Sequence, residues 1–413
     1  MTVDFSEPEK AEEDLEKLLK KDLTTLEISD RIAFDNENPI SQLYEAVNIL
    51  KDKASWTKNV GITNKKAEFK RFKEDPENFE PEFQFKPFQY NKDTFVKLID
   101  ILEGKTQSIT KKTIQSYGFK DLEVYQLQRF FEEILQELKL FVKLAANIED
   151  KDEWLNCCEK LWPMVDEETY EKSVEHLKSI DLEDKEEKNL DAYDLKEMWI
   201  QELERIGVDY NVEVRDVGGC FNIPEEETVV VANGDEEKRF YSQKEAEMLT
   251  MHELFHVVRG YNGRKAVGET GFPPILGVHT PFYDMTEEGG ALYREKQTGT
   301  NYTGQDYDYN LRLAAAYLVS QDLEFKKVVE KLTEFGAPEK RSFMLAARNR
   351  EILRHHIYLQ GYQEWKNTED LDKLLIGKLN PYWADIFWKE VENGVLKKPE
   401  VTASQLFNFR FEN

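Results

Sequence analysis

Cysteine is nearly absent: of three in 413 residues, Cys157 and Cys158 are adjacent and Cys220 stands alone. That excludes a disulfide framework and any C-x-x-C metal knuckle. Long apolar runs are missing too, since none approaches the ~20 residues of a membrane span. The first residues, "MTVDFSEPEKAEEDLEKLLKK", are acidic and polar where a signal peptide would be basic and then apolar. These absences predict a cytoplasmic protein with no membrane partner. Positive charge is in deficit: 56 basic against 82 acidic residues leave a formal charge of -26. Such a field opposes phosphate backbones and anionic lipid surfaces, so nucleic acid is not an expected partner. Histidine is scarce as well, at six residues. Two of those six stand four apart.

What is present is the material of a packed protein, with 40% hydrophobic and 12% aromatic residues over a length that suits one large domain or two ordinary ones. In "SQLYEAVNILKDKA", "NKDTFVKLIDILEG" and "LEVYQLQRFFEEILQELKLFVKLAANI" apolar residues recur at three and four, which predicts bundle helices. Three prolines in "KEDPENFEPEFQFKPFQYNKDTF" (73–95) interrupt that period and predict an extended, surface-packed linker. The charge run 181–194 reads as a solvated face or loop.

The pattern changes near residue 209, where "DYNVEVRDV" and "TVVVAN" alternate and carry β-branched residues, with Asn-Gly as a turn signal. Two or three short strands are expected there, and "TVVVAN", placed at a sheet edge, would offer main-chain bonds to an extended peptide. A helix follows. Ser242 is a good N-cap, Glu245 three residues on completes a capping-box pattern, and Gly260 with the following "YNG" predicts the stop.

This helix carries "HELFH" (252–256). Residues four apart share a face, so His252 and His256 can bind one ion, with Glu253 about 100° round the axis and within reach of a water on that ion. A zinc hydrolase needs this arrangement, because the metal acidifies the water and polarises the carbonyl while the glutamate takes the proton. A third protein ligand is required. The metzincin continuation fails, with Arg259 and Asn262 where its glycine and last histidine would stand. Downstream, Glu287 and Glu288 open a second predicted helix with Thr286 as its N-cap, and His279 is a rival ligand.

"HELFHVVRGYNG", "MTEEGGAL", "HHIYLQGY" and "LLIGKL" resemble, in this order, the family that includes the microtubule-associated tyrosine carboxypeptidases and bacterial proteins named for a Q-E-G-L-A motif. Its zinc helix reads approximately H-E-I-G-T-H-x-L-R-x-x-N-G, and its third ligand is the glutamate of T-Q-E-G or T-E-E-G. The resemblance is strung over roughly residues 55–380. It implies one Zn2+ per chain held by His252, His256 and Glu288, with Glu253 as the catalytic glutamate and Arg259, Asn262 and Gly263 in the motif's tail. Three departures stand out: two residues instead of three separate Glu253 from His256, Gly290 replaces the leucine, and Arg354 and His355 replace a Lys-Asp ahead of Tyr358.

A carboxypeptidase must hold a terminal carboxylate, for which Arg348, Arg350 and Arg354 are candidates, while His355, His356 and Tyr358 are candidate donors to the oxyanion. Tubulin tails, being acidic, are not favoured as substrate by a chain of charge -26. The expected fold is α+β and predominantly helical: an N-terminal helical segment (1–72), a helical portion of the catalytic unit (73–208), and a zincin-like, gluzincin-type core with C-terminal helices (209–413), its small sheet preceding the H-E-x-x-H helix. The expected function is a zinc metallopeptidase acting on peptide or protein C-termini. A zinc endopeptidase or aminopeptidase, or a non-catalytic helical interaction protein, are the alternatives.

Overall fold

A computed structural model describes residues 2–182, 186–235 and 237–409, and within that range the side chain of Glu225 is not described. The chain has the expected α+β, predominantly helical, zincin-like arrangement, with a three-stranded sheet ahead of the motif helix. No helix among the described residues is long and apolar enough to cross a membrane. Of the charge run 181–194, residues 183–185 lie outside the described residues, and residues 186–189 are exposed.

Two compact units form, each from three segments of chain. The first comprises residues 1–116, 123–179 and 309–357. Its axis is the helix Val124–Ala146, which buries Leu127, Phe130, Phe131, Ile134, Leu138 and Phe141 at the spacing read from the sequence. The helices Pro39–Ala54 and Lys92–Lys105 pack against it. Between Glu74 and Lys92 there is no helix, as the prolines predict. This stretch is tied down by its aromatics: the rings of Phe79, tilted, and Phe83, edge to face, pack on Phe325 with centroids 6.0 and 5.3 Å away.

The second unit comprises residues 117–122, 180–308 and 358–413. Strand Thr228–Ala232 runs parallel to Asn211–Arg215 on one side and antiparallel to Phe221–Ile223 on the other. This corrects one expectation, because "TVVVAN" is the central strand, with both hydrogen-bonding edges used. Its unbroken burial explains the position, since Thr228 through Ala232 are all buried and a continuous apolar run belongs inside a sheet. The outer strands are Asn211–Arg215 and Phe221–Ile223.

The motif helix, Gln243–Val267, starts where expected, with the Ser242 hydroxyl accepting from Glu245 N at 3.2 Å. Only half of the capping box is used. The Glu245 carboxylate turns to Lys188 and Arg239 instead, at 2.6 and 3.1 Å. The helix also continues past its expected stop at Gly260. The reason is tertiary: a Cβ on Gly263 would collide with the backbone of Leu276 and Gly277, and one on Gly277 with the Gly260 carbonyl. The glycines therefore serve close approach of a neighbouring turn, and Asn262 stays helical while its amide brackets the Val401 backbone at 2.9 and 3.0 Å. Because the helix is buried on nearly every side from Thr250 to Gly263, it has no solvent stripe and sits as a central element.

The second motif lies on the helix Asp284–Thr298. Thr286 is inside its first turn, not at the N-cap, which is Tyr283; the Thr286 hydroxyl instead donates to Glu364 at 2.8 Å. Gly289 meets Gly361 backbone to backbone, so a Cβ on either would overlap the other segment. Replacing Gly361 by alanine is expected to cost roughly 1–3 kcal/mol by overpacking. A lower urea midpoint for G361A is the expected reading, and a midpoint equal to wild type would contradict this close approach. Gly290 has a parallel explanation. A side chain there would strike the rings of Phe255 and Trp365, which pack edge to face at 5.3 Å. Phe255, inside "HELFH", thus fills the volume that a leucine at position 290 would need.

Candidate metal centre

All the groups of the centre lie in the second unit, on the motif helix and the helix Asp284–Thr298. Their contacts run in opposite order along the two helices: His252 meets Glu295, both histidines meet Glu288, and His256 and Arg259 meet Glu287. The helices are therefore antiparallel where they cross.

Glu288 Oε2 lies 3.5 Å from His252 Nε2 and 3.8 Å from His256 Nε2. Ligand atoms of these three residues all fall within 4.8 Å of one another, so they could hold one metal ion. Two imidazoles and a carboxylate are the donor set of open tetrahedral zinc sites, in which neighbouring ligand atoms stand about 3.3–3.5 Å apart. The residues fit the ion. His279, the rival ligand, is not in this cluster; its ring packs edge to face on Tyr283 instead. Glu287 is not in it either.

The other ring nitrogens are engaged from behind. His252 Nδ1 is 2.6 Å from Glu295 Oε1, and His256 Nδ1 is 3.1 Å from Glu287 Oε1. An ionised carboxylate only accepts, so each Nδ1 carries the proton and each Nε2 is turned to the shared point. Glu287 is itself anchored by Arg259, at 2.6 Å, and by Lys378, at 3.2 Å. Arg259 is fully buried and also donates to the carbonyls of Leu374 and Leu379.

The electrostatics suit a cation. Burial would push the His252 pKa down, but hydrogen bonds to Glu288 and Glu295 outweigh it and hold the value well above that of a free imidazole. Burial likewise works against the charge on Glu287, yet Lys378 and Arg259 hold its carboxyl well below the usual carboxylate range. Burial raises the Glu253 pKa, partly offset by the two histidines. Among the described residues the Glu253 carboxylate makes no hydrogen bond or ion pair. The thiol of Cys220, just before strand Phe221–Ile223, is pushed up to about 12, chiefly by burial and next by Glu253.

The remaining residues singled out from sequence are divided between the two units. Tyr358 belongs to the second unit, and its ring lies 6.1 Å from that of His252 at an interplanar angle of 26°. Arg348, Arg350, Arg354, His355 and His356 belong to the first unit. There Arg350 donates to the Leu323 carbonyl at 2.9 Å and borders a cavity of about 840 Å³ with Phe79 and Trp154. Arg354 stands over the Trp56 ring at 5.4 Å, His355 is buried, and His356 Nε2 donates to the Pro163 carbonyl at 2.7 Å.

Sequence reasoning missed Glu295, Lys378 and the anchoring task of Glu287. A signal existed for the first: Glu295 is seven residues beyond Glu288, two turns on, and so on the same helix face. Lys378 sat unremarked within "LLIGKL".

The sequence model of a family described as microtubule-associated tyrosine carboxypeptidase matches residues 70–410. No curated protein and no solved structure matches the chain. Because that match spans well over half of the sequence and includes both helices of the His252, His256 and Glu288 cluster, this chain belongs to the microtubule-associated tyrosine carboxypeptidase family.

Proposed function

We propose that this chain is a zinc metallopeptidase that removes residues from the C-termini of peptides or proteins, with His252, His256 and Glu288 as the ligands and Glu253 as general base. The observation that carries the reading is the convergence of two Nε2 atoms and one carboxylate oxygen beside a glutamate whose own carboxylate is unengaged. Zinc bound there would acidify a water molecule and polarise the scissile carbonyl. Glu253 follows His252 directly and projects about 100° round the helix, which suits it to take a proton from the attacking water and return it to the leaving amine. Tyr358, beside His252, is the candidate donor to the oxyanion. The outer edge of strand Phe221–Ile223 pairs with no strand among the described residues and supports alignment of an extended peptide.

The carboxypeptidase reading is preferred to an endopeptidase on family membership. Substrate ends that are neutral or basic suit the -26 charge better than acidic tails. Peptides with free and amidated C-termini separate the two readings. With a charge-assisted contact to the terminal carboxylate worth roughly 1.5–3 kcal/mol, amidation is expected to lower kcat/KM by about 10- to 100-fold. Equal cleavage of both forms would make the enzyme an endopeptidase, and cleavage of neither, across a mixed library with zinc supplied, would overturn the peptidase reading.

A further inference from the structure

The two histidines of the centre are held from behind by glutamates in different circumstances. Glu295 is fully buried, its Oε1 lies 2.6 Å from His252 Nδ1, and its Oε2 accepts from the Asn301 amide at 3.2 Å. Glu287 stands 3.1 Å from His256 Nδ1, and two cations, Arg259 and Lys378, already answer its charge.

We infer that the two carboxylates divide the work: Glu295 acts through its charge to set how tightly the centre holds its metal, and Glu287 acts through its position to fix where His256 stands. The inference rests on the zinc reading above and adds to it the source of the affinity. A short bond from Nδ1–H to a carboxylate pushes electron density toward Nε2 and makes that nitrogen a better ligand. Glu295 is placed to do so for His252. The charge of Glu287 is drawn toward the guanidinium and the ammonium, so the longer contact to His256 mainly orients the ring. Arg259 and Lys378 are thereby positioning residues at one remove: they hold Glu287, which holds His256.

Glu295→Gln keeps the size and an acceptor oxygen but removes the charge, and E287Q combined with K378M removes the carboxylate at the other histidine together with one of its two cations, so that the net charge of that cluster is unchanged. The apo proteins are titrated with zinc against a chromophoric chelator, and folding is checked by circular dichroism. The expected result is zinc affinity about 10- to 100-fold weaker in E295Q than in wild type, with a smaller loss in E287Q/K378M. Wild-type affinity in E295Q, or a larger loss in a folded E287Q/K378M, would overturn the division of labour while leaving the zinc reading standing. Failure of the wild-type chain to bind zinc would take both down.

A second readout needs no variant. In the zinc-loaded wild-type protein, which has only six histidines, the shorter contact is expected to place the His252 Nδ1 proton resonance downfield of that of His256. The reverse order would refute the stronger bond at Glu295.

Discussion

Glu253→Gln is expected to lower kcat by about 10²- to 10⁴-fold while leaving zinc content and thermal midpoint as in wild type. The size follows from the role, because removing a general base deletes proton transfer but not binding or polarisation of the carbonyl, so a residual rate survives. Retention of metal follows from geometry: Glu253 is not one of the three residues whose ligand atoms converge. Stability should hold because the Glu253 carboxylate has no hydrogen bond or ion pair among the described residues to lose, and a neutral amide is easier to bury than a carboxylate. Peptide turnover, elemental analysis and calorimetry on one preparation check all three parts. An E253Q enzyme with more than about a tenth of wild-type turnover would remove Glu253 from the chemistry.

The largest effect on stability is expected at Glu287. Glu287→Gln leaves Arg259 and Lys378 facing each other in the interior with no anion between them. Stranding buried charge in this way typically costs about 3–5 kcal/mol. The arginine keeps its bonds to the Leu374 and Leu379 carbonyls, so the loss is one of charge compensation and not of every contact. Replacing all three residues by apolar ones of similar volume (E287L with R259M and K378M) is expected to recover only part of the loss, since the charges then disappear together while the Leu374 and Leu379 carbonyls and His256 Nδ1 lose their partners. Urea unfolding of the single and triple variants gives the answer. A single variant within about 0.5 kcal/mol of wild type would show that the triad carries no such load. The sign of the pH dependence follows as well. Because the folded state holds the Glu287 carboxyl below its ordinary value of 4.5, its contribution is full above that pH and is withdrawn as the solution is made more acidic.

What could be read from the sequence was local in origin. Four-residue spacing put His252 and His256 on one face, Ser242 marked the helix start, and β-branched alternation marked the strands before it. Glu288 needed the likeness to a family, because Glu287, Glu288 and His279 were all chemically admissible ligands. What could not be read depended on neighbours distant in sequence. Gly260 and Gly263 look like a helix stop, but they mark a place where residues 274–277 come close. "TVVVAN" has the period of any strand, and only pairing on both sides makes it central. Gly290 reads as a lost side chain until the Phe255 and Trp365 rings are found in its place. The anchoring network of Glu295, Glu287, Arg259 and Lys378 joins three separate stretches of chain, and no periodicity within one stretch reports it.

Elemental analysis of the purified chain and of its Glu288→Ala variant asks whether His252, His256 and Glu288 hold one zinc ion. The expected result is one zinc per wild-type chain and loss of that zinc in E288A with the fold intact. A wild-type chain that stays metal-free when zinc is supplied, or an E288A variant that keeps a full equivalent, would contradict it.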